Sequence, residues 1–294
     1  MPYLLLILTT LFWSGNFVLS RGMHAEIPPL ALSFFRWATA LLLLLIIGAK
    51  PLYRQRAQLL QHKKFIFVQA LAGVAGFNSL VYMAMQYTTA INAVLVNSCI
   101  PVIIVLFSWQ MFREKISLRQ WIGVSISFSG VLFIITGGNL AMLLELQLNH
   151  GDLLVLGAAV LWAFYSANLK RYPQGLHPLA YQTAIVIVGL VLLLPLYLAE
   201  KSWTPPLSFN MPVILTILYV AVFASVLAFI FWNKAIGILG ANIAGPFIHL
   251  MPVFSTILAV IFLDEKLSLT HIRAITLIFI GILLTTFRVK KQKL

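Results

Sequence analysis

Polar and aromatic side chains recur at helical spacing inside otherwise apolar stretches of this sequence. Near the N-terminus, four of them follow i, i+4, i+7 and i+11, which places them on one face of a helix. They are Thr9, Trp13, Asn16 and Ser20. A second stripe at i, i+4 and i+8 consists of Asn78, Tyr82 and Gln86. Rings and amides on one face offer a solute an apolar wall with a few hydrogen bonds, which is the chemistry of binding.

Further amides, rings and one imidazole lie in later apolar stretches. They are Asn97, Trp162, Tyr165, Asn233 and His249. Such side chains are costly in a membrane unless they face the interior of a helical bundle. The alternative is that Trp and Tyr form belts at the membrane interfaces and that Asn joins helices. Trp13 and Trp162 lie in the middle of their stretches, which argues against a belt. We predict that these five residues bind substrate together with Trp13, Asn16, Asn78 and Tyr82.

Arg36 is the one permanent charge inside an apolar stretch. It lies some seven residues from the end of that stretch, or roughly 10 Å deep at 1.5 Å per residue. Three interpretations remain open. It binds a substrate carboxylate, it extends its head group to the interface, or it hydrogen-bonds carbonyls at a helix end. We include Arg36 among the predicted substrate-binding residues.

The acidic residues all lie in loops or near the ends of apolar stretches. They are Glu26, Glu114, Glu145, Asp152, Glu200, Asp264 and Glu265. His249 is the only side chain at mid-depth that titrates near neutral pH. Proton coupling would therefore use His249, a terminal acid such as Asp152, or the substrate itself. The alternatives are that the protein is a facilitator or exchanger, and that His249 is a buried polar residue of the core.

The elements that must position these residues are membrane-spanning helices. Hydrophobic residues make up 61% of the 294 residues and charged residues only 9%, against about 25% charged residues in a soluble domain. A span needs roughly 20 apolar residues, and ten such runs are present. We predict spans at about 3–20, 30–49, 65–86, 91–111, 119–137, 152–169, 179–199, 211–233, 241–263 and 270–288.

The basic residues are distributed unevenly among the predicted loops. With the N-terminus inside, 15 of the 20 Lys and Arg residues fall on the cytoplasmic side and four on the outer side. This bias satisfies the positive-inside rule and predicts that both termini are cytoplasmic, with a basic tail at 289–294. It also explains the net charge of +13 through insertion and anionic lipid, so no nucleic-acid partner is expected.

The sequence repeats itself at an interval of about 150 residues. EKISL at 114–118 recurs as EKLSL at 265–269, and the same shift of 151 places Pro101 on Pro252. A shift of 149 places Trp13 on Trp162. Each copy holds five spans, an odd number, so the second copy must enter the membrane inverted. We predict an all-α integral membrane protein, with ten transmembrane helices as two inverted five-helix repeats at 1–138 and 150–288. The paired prolines indicate a hinge or a static kink.

Several of these motifs resemble those of the EamA family, part of the drug/metabolite transporter superfamily. They are LFWSGNFVLSR in the first span, PPLALSFFRW at the second, and the two EK-S turns with a proline upstream. The resemblance covers the whole chain. It implies two five-helix halves around a central cavity, export or exchange of small metabolites such as amino acids, and a bacterial inner membrane. It also implies an architectural role for Arg36, since family members often carry a basic residue there.

Other classes of protein fit the sequence less well. We find no paired catalytic carboxylates, no metal-ligand motif and no phosphate-binding loop, so neither an enzyme nor a cofactor or metal is expected. We predict a secondary transporter with a small-molecule substrate, in contact with membrane lipid. The alternatives are an efflux carrier for drugs or aromatic compounds, and a lipid-handling or assembly protein.

Small residues at Gly123, Ser125, Ser127 and Ser129 permit a homodimer or close packing within the bundle.

Overall fold

The computed structural model of the protein describes residues 1–88, 90–143, 149–263 and 269–286. Within these ranges every regular element is helical, and ten helices are long and apolar enough to cross a membrane. We number them α1 to α10. Their bounds are Pro2–Ser20, Pro29–Arg54, Lys63–Ala84, Leu95–Phe112, Leu118–Thr136, His150–Arg171, Pro178–Lys201, Met211–Leu239, Ala241–Leu258 and Leu269–Thr286. The prediction of an all-α membrane protein with ten spans is confirmed.

Two helices extend well beyond their predicted ends. α2 continues to Arg54 and α8 to Leu239, whereas apolar runs predicted ends near residues 49 and 233. Each extension begins at a lysine, Lys50 or Lys234, and the chain remains helical beyond it because backbone hydrogen bonding does not stop at a charged side chain. Hydropathy locates the membrane core and not the helix end. Two short helices, Arg56–Gln61 and Leu140–Leu143, lie in loops.

The alternating direction of the helices defines two faces of the bundle. The N-terminal face carries the start of α1 and the loops at 55–62, 113–117 and 172–177. The opposite face carries the loops at 23–28 and 202–210, among others. We predict that the N-terminal face is cytoplasmic.

The two halves are joined by antiparallel contacts between equivalent helices. In α5 and α10, a Cβ at Gly123 would lie 2.6 Å from the Gly281 carbonyl, and one at Gly130 would lie 2.7 Å from the Ala274 carbonyl. Residues 123 and 274 are 151 positions apart, as are 130 and 281, so the two close approaches are images of each other. The small residues of α5 thus serve packing within the bundle, while Ser125 and Ser129 are exposed.

α2 and α7 form a second antiparallel pair, with hydrogen bonds at both ends. Glu200, at the end of α7, accepts from the Leu30 and Ala31 amides at the start of α2 at 2.9 and 2.6 Å. At the N-terminal face, Gln55 beyond α2 accepts from the His177 amide at 2.7 Å. Free amides at the start of a helix need such acceptors. Each helix of the pair is therefore capped by its partner.

Two pairs of equivalent spans share irregular backbone. α3 contains a π-helical segment at Ala70–Gly76, and α8 contains one at Val220–Leu227, starting 150 residues later. α4 is interrupted by a turn at residues 98–99, between the end of a helix at Ala90–Asn97 and a second helix at Ile100–Phe112. α9 passes through a 3₁₀ segment at Gly245–His249. The inverted repeat therefore extends to departures from α-helical geometry.

The paired prolines lie at the ends of these interruptions. Pro101 occupies the first turn of Ile100–Phe112, and Pro252 lies in the first turn of Leu250–Leu263. A proline in the first turn removes no helical hydrogen bond. The prolines therefore start the second part of each span and do not kink a continuous helix.

Candidate functional site

A cavity of about 770 Å³ opens at the N-terminal face. Its walls come from the last turns of α6, the start of α7 and the second half of α8, closed by the loop at 172–177 and by the start of α9. Polar lining residues include Ser166, Gln182 and Asn233. A space of this size between helices accommodates a small metabolite.

The deep wall of the cavity is a chain of neutral hydrogen-bonding side chains. Tyr165 donates its hydroxyl proton to Asn233 Oδ1 at 2.8 Å, and Asn233 Nδ2 donates to Gln182 Oε1 at 3.2 Å. Gln182 Nε2 is buried without a partner in the described residues. Beside this chain, Gln69 Nε2 donates to the Tyr181 hydroxyl at 3.1 Å. The wall therefore presents amides and phenols, with one donor unused.

The mouth of the cavity carries the charged residues. Lys170 and Glu114 form an ion pair at 2.5 Å, both partly exposed. Asn242 at the start of α9 donates to the other Glu114 oxygen at 3.2 Å. Lys234 on α8 also lines the mouth and is exposed. The first EKISL turn thus ties α6 and α9 together at the entrance. Residues 265–268 of the second copy, EKLSL at 265–269, lie outside the described residues.

An aromatic cluster separates the cavity from the centre of the bundle. The Trp13 and Trp162 rings meet edge to face with centroids 5.0 Å apart, and Trp162 stacks on Tyr165 at 5.1 Å. Phe229 and Trp232 complete the cluster, with centroids 5.3 and 5.9 Å from Trp162. Aromatic pairs in this range of distance and tilt attract each other beyond simple burial. The cluster lies behind the cavity wall, to which Tyr165 and Trp232 connect it through hydrogen bonds with the lining residues Asn233 and Ser166.

A second, much smaller space of about 20 Å³ lies beyond the aromatic cluster; we call it the inner chamber. Its lining is Trp13, Asn16, Phe17, Phe77, Asn78, Asn97, Ile100, Trp162, Phe229, Ile248 and Met251. The volume is that of about one water molecule. Asn78 Nδ2 and Asn97 Oδ1 are buried without a partner in the described residues. Two of the residues that line the inner chamber therefore each have an unused polar atom, a donor on Asn78 and an acceptor on Asn97.

Arg36 lies behind the inner chamber, toward the opposite face, and is fully buried. Its Nε donates to Ser225 Oγ at 2.8 Å, and Nη1 donates to Asn78 Oδ1 at 2.8 Å and to the Tyr82 hydroxyl at 2.6 Å. Ser225 belongs to the π-helical segment of α8. Of the three interpretations left open by the sequence, extension to the interface and bonding to helix-end carbonyls are both wrong. Arg36 joins α2, α3 and α8 through side chains.

The two halves contain the same tyrosine–asparagine bond with its residues exchanged. Near the opposite face, Tyr82 donates to Asn16 at 2.9 Å. In the cavity wall, Tyr165 donates to Asn233 at 2.8 Å. Tyr165 is the repeat image of Asn16, and Asn233 is the image of Tyr82. The first bond lies in the closed half of the molecule and the second at the open cavity.

His249 lines neither space in the described residues but is fully buried. One ring nitrogen, Nε2, lies 3.0 Å from the Ser98 carbonyl oxygen, and Nδ1 lies 2.7 Å from Ser127 Oγ. A carbonyl only accepts, so Nε2 carries the proton. Ser98 and His249 are 151 residues apart. His249 therefore joins the interruption of α9 to the equivalent interruption of α4.

The structure divides the predicted binding residues into three groups. Those that line the inner chamber are Trp13, Asn16, Asn78, Asn97 and Trp162. Asn233 lines the cavity, with Tyr165 bonded behind it. Arg36 and Tyr82 bond the lining residues Asn78 and Asn16 from behind, and His249 bonds Ser127 and Ser98 outside both spaces. Their contact with substrate remains a prediction.

Sequence reasoning missed most of the cavity wall. The omitted lining residues include Ser166, Tyr181, Gln182 and Lys234. Gln69 and Trp232, also omitted, bond Tyr181 and Ser166 from behind the wall. Gln69 and Gln182 carried a usable signal, because each is an amide inside an apolar span. Gln182 is also the repeat image of Ser33, which is buried and bonds Ser79.

Ten membrane helices in two inverted halves are an architecture that many membrane transporters share. The model of the EamA-like transporter family matches residues 1–136 and 149–287. The chain belongs to the EamA-like transporter family, and it is a membrane transporter of that type.

Individual relatives agree with this assignment. The chain is 26% identical to the uncharacterized transporter YyaM of Bacillus subtilis, over 87% of this chain and 84% of YyaM. It is 29% identical to an uncharacterized transporter of Archaeoglobus fulgidus, over 90% of each chain. A protein of known crystal structure with 20% sequence identity to this chain shares its fold. The TM-score is 0.77, over 97% of this chain and 96% of the other. The relatives are named as transporters and carry no substrate in their names.

Proposed function

We propose that the protein is a carrier that exports small amphipathic metabolites such as amino acids by alternating access. The observation that carries the proposal is a difference between the two faces. A cavity of about 770 Å³ opens at the N-terminal face, whereas toward the opposite face the buried Arg36 joins α2, α3 and α8 by hydrogen bonds. Because the halves are inverted copies, exchanging their conformations would close the first face and open the second.

The lining supports a substrate with both apolar and hydrogen-bonding parts. The aromatic cluster offers ring faces, and the amides of Asn233, Gln182 and Asn78 offer donors and acceptors. With the N-terminal face in the cytoplasm, as we predict, the described conformation accepts cytoplasmic substrate. This orientation favours export from a bacterial inner membrane.

Efflux of aromatic drugs is the second candidate, and the aromatic cluster is the observation in its favour. The charges weigh against cationic drugs. Lys170 and Lys234 line the mouth, where Glu114 is paired with Lys170. Arg36 adds a buried positive charge beyond the aromatic cluster. A cation would meet no unpaired carboxylate on the described part of this path.

The deciding experiment measures uptake of radiolabelled amino acids into inside-out vesicles, with and without a pH gradient. We expect uptake above that of vesicles lacking the protein. Trp13→Ala and Asn233→Leu should each lower it at least tenfold, because they remove an aromatic wall and a polar wall. Ser129→Ala, on the exposed side of α5, is the matched control and should keep the wild-type rate. Absence of uptake for every amino acid would refute this substrate class.

The same vesicles test proton coupling through His249. Loss of gradient-driven uptake in His249→Gln, with exchange of labelled for unlabelled substrate retained, would support a coupling role. Gradient drive that survives the substitution would assign His249 to packing alone.

A further inference from the structure

Arg36 is a buried cation whose acceptors are all neutral. Among the described residues it forms no ion pair, and its three hydrogen bonds go to Ser225, Asn78 and Tyr82. Its side chain is fully buried. Burying an unpaired charge in a medium of low polarity is costly, and hydrogen bonds from neutral groups offset only part of that cost. The Trp37 and Tyr82 rings, with centroids 5.1 and 5.9 Å from the guanidinium carbon, offset a further part, but no described residue neutralises the charge.

The bond from Arg36 to Asn78 fixes what the inner chamber offers. A guanidinium has only donors, so the Asn78 oxygen must turn toward Arg36 and leave Nδ2 as a donor. Nδ2 has no partner among the described residues, and Asn78 lines the inner chamber. Asn97, which also lines it, has an unpartnered acceptor in Oδ1. A neutral donor backed by a buried cation suits a carboxylate, and the acceptor suits an adjoining N–H group.

The second half of the protein has no equivalent cation. The repeat image of Arg36 is Ile185, and that of the neighbouring Trp37 is Val186. The open cavity wall at this level consists of neutral amides and phenols. The second half therefore adopts the same fold without a charge at this position, and the buried cation is present in the first half only.

We infer that Arg36, acting through Asn78, makes the inner chamber a subsite for the carboxylate of the substrate. This inference rests on the proposed function and narrows its substrate class to solutes that bear a carboxylate. The present chamber of about 20 Å³ admits a carboxylate only when the aromatic cluster moves. An arriving anion would also compete with Asn78, Tyr82 and Ser225 for Arg36, and so weaken the network that closes the opposite side.

The test uses four probes that share a phenyl ring and differ in their charged groups. L-Phenylalanine and 3-phenylpropanoate carry a carboxylate, whereas L-phenylalaninamide and 2-phenylethylamine do not. Binding to the purified full-length protein is followed by tryptophan fluorescence, since Trp13 and Trp162 line the inner chamber. Uptake of the same probes is measured in proteoliposomes. We expect wild-type protein to bind and carry the two carboxylates at least tenfold better than the other two.

Variants then assign the selectivity to Arg36. Arg36→Gln should remove most of the preference for carboxylates, and Arg36→Lys should retain part of it because the charge stays. Lys50→Gln removes one positive charge from an exposed position on the same helix and should behave as wild type. The four probes are also compared in wild-type protein alone. The inference can therefore be refuted even if the Arg36 variants fail to fold.

The possible failures differ from one another. If the wild-type protein carries the amide and the amine as well as the carboxylates, or if folded Arg36→Gln keeps the preference, the inference is wrong and the carrier stands. If it carries none of the four probes and none of the amino acids, the proposed function fails and takes the inference with it.

Discussion

Tyr82 takes part in two hydrogen bonds that close the opposite side, one from Arg36 and one to Asn16. Tyr82→Phe removes both and leaves a charged donor short of an acceptor. A hydrogen bond to a charged group contributes about 1.5–3 kcal/mol, so we expect the closed side to open at least about tenfold more often. The measurement is the alkylation rate of Phe17→Cys, in a Cys99→Ser background, by an impermeant maleimide added at the opposite face.

Tyr219→Phe is the matched control for this substitution. It removes one long bond, at 3.3 Å, from the Tyr219 hydroxyl to the Phe12 carbonyl, outside the Arg36 network. The alkylation rate should stay at the wild-type value. Equal rates in Tyr82→Phe and Tyr219→Phe would show that the Tyr82 bonds do not hold this side closed.

Glu200 accepts two backbone amides at the start of α2 and is 4% exposed. Glu200→Ala leaves those amides without acceptors, at a cost of about 1–3 kcal/mol. We expect a lower Tm in detergent, with the exposed neighbour Lys201→Ala unchanged. A Tm for Glu200→Ala equal to that of Lys201→Ala would contradict the capping role.

Single residues were the hardest features to predict from the sequence. Arg36 and the stripes of amides and rings were found because polar groups in apolar spans are conspicuous. Their partners were not found, since the bond from Arg36 to Ser225 joins residues 189 positions apart. Glu200 gave no signal, because an acid at a span end is unremarkable until the start of another helix lies beside it.

At the scale of elements, the α5–α10 pair depends on glycine. A Cβ at Gly123 would lie 2.6 Å from the Gly281 carbonyl oxygen, which is backbone and cannot turn away. We expect Gly123→Ala to destabilise the protein by about 1–3 kcal/mol, measured as a lower Tm in detergent. Gly237→Ala in α8 meets nothing within 4 Å and should be neutral or stabilising by up to about 1 kcal/mol. Equal Tm values for the two variants would refute close packing.

Substituting the prolines beside the interrupted spans tests whether they act in a hinge or are a static feature. Pro101 and Pro252 lie in first turns, where alanine costs little stability. If they direct the hinge, Pro101→Ala and Pro252→Ala should keep a wild-type Tm within about 1 kcal/mol and slow transport several-fold. Unchanged turnover in both would make the hinge prediction wrong.

The elements themselves were largely predictable, because span length and apolar composition are set by the membrane. The π-helical segments of α3 and α8 were not. Their sequences, ALAGVAG and VAVFASVL, contain nothing that favours an extra residue per turn. Both segments make close tertiary contacts, which the local sequence does not reveal. A Cβ at Gly73 would lie 2.6 Å from the Tyr165 ring, and Ser225 must reach Arg36.

At the scale of the whole molecule, the charge bias predicts which face meets the cytoplasm. Gln174 lies at the N-terminal face and Trp203 at the opposite face, both exposed. In a Cys99→Ser background, we expect Gln174→Cys to react with an impermeant maleimide only in inside-out vesicles. Trp203→Cys should react only from outside the cell. The reverse pattern would refute the predicted orientation and, with it, the argument for export.

The inverted repeat was predictable at this scale because residues far apart in sequence repeated in order. The conformation was not. Two equivalent halves are equally compatible with a conformation open at the N-terminal face and one open at the opposite face. Only residues that differ between the halves, such as Arg36 and its image Ile185, distinguish the two conformations. The open cavity at one face is therefore information that the structure adds.

The contacts of Trp13 with Trp162 and of His249 with Ser98 have a consequence for motion. Each joins a residue to its own repeat image, so each lies close to the pseudo-twofold axis. When two halves exchange shapes about an axis, points on it are displaced least. These contacts then form a fulcrum. A covalent tether between positions 98 and 249 would therefore leave transport active. A tether between Gln55 and His177, far from the axis at the rim of the N-terminal face, would stop it.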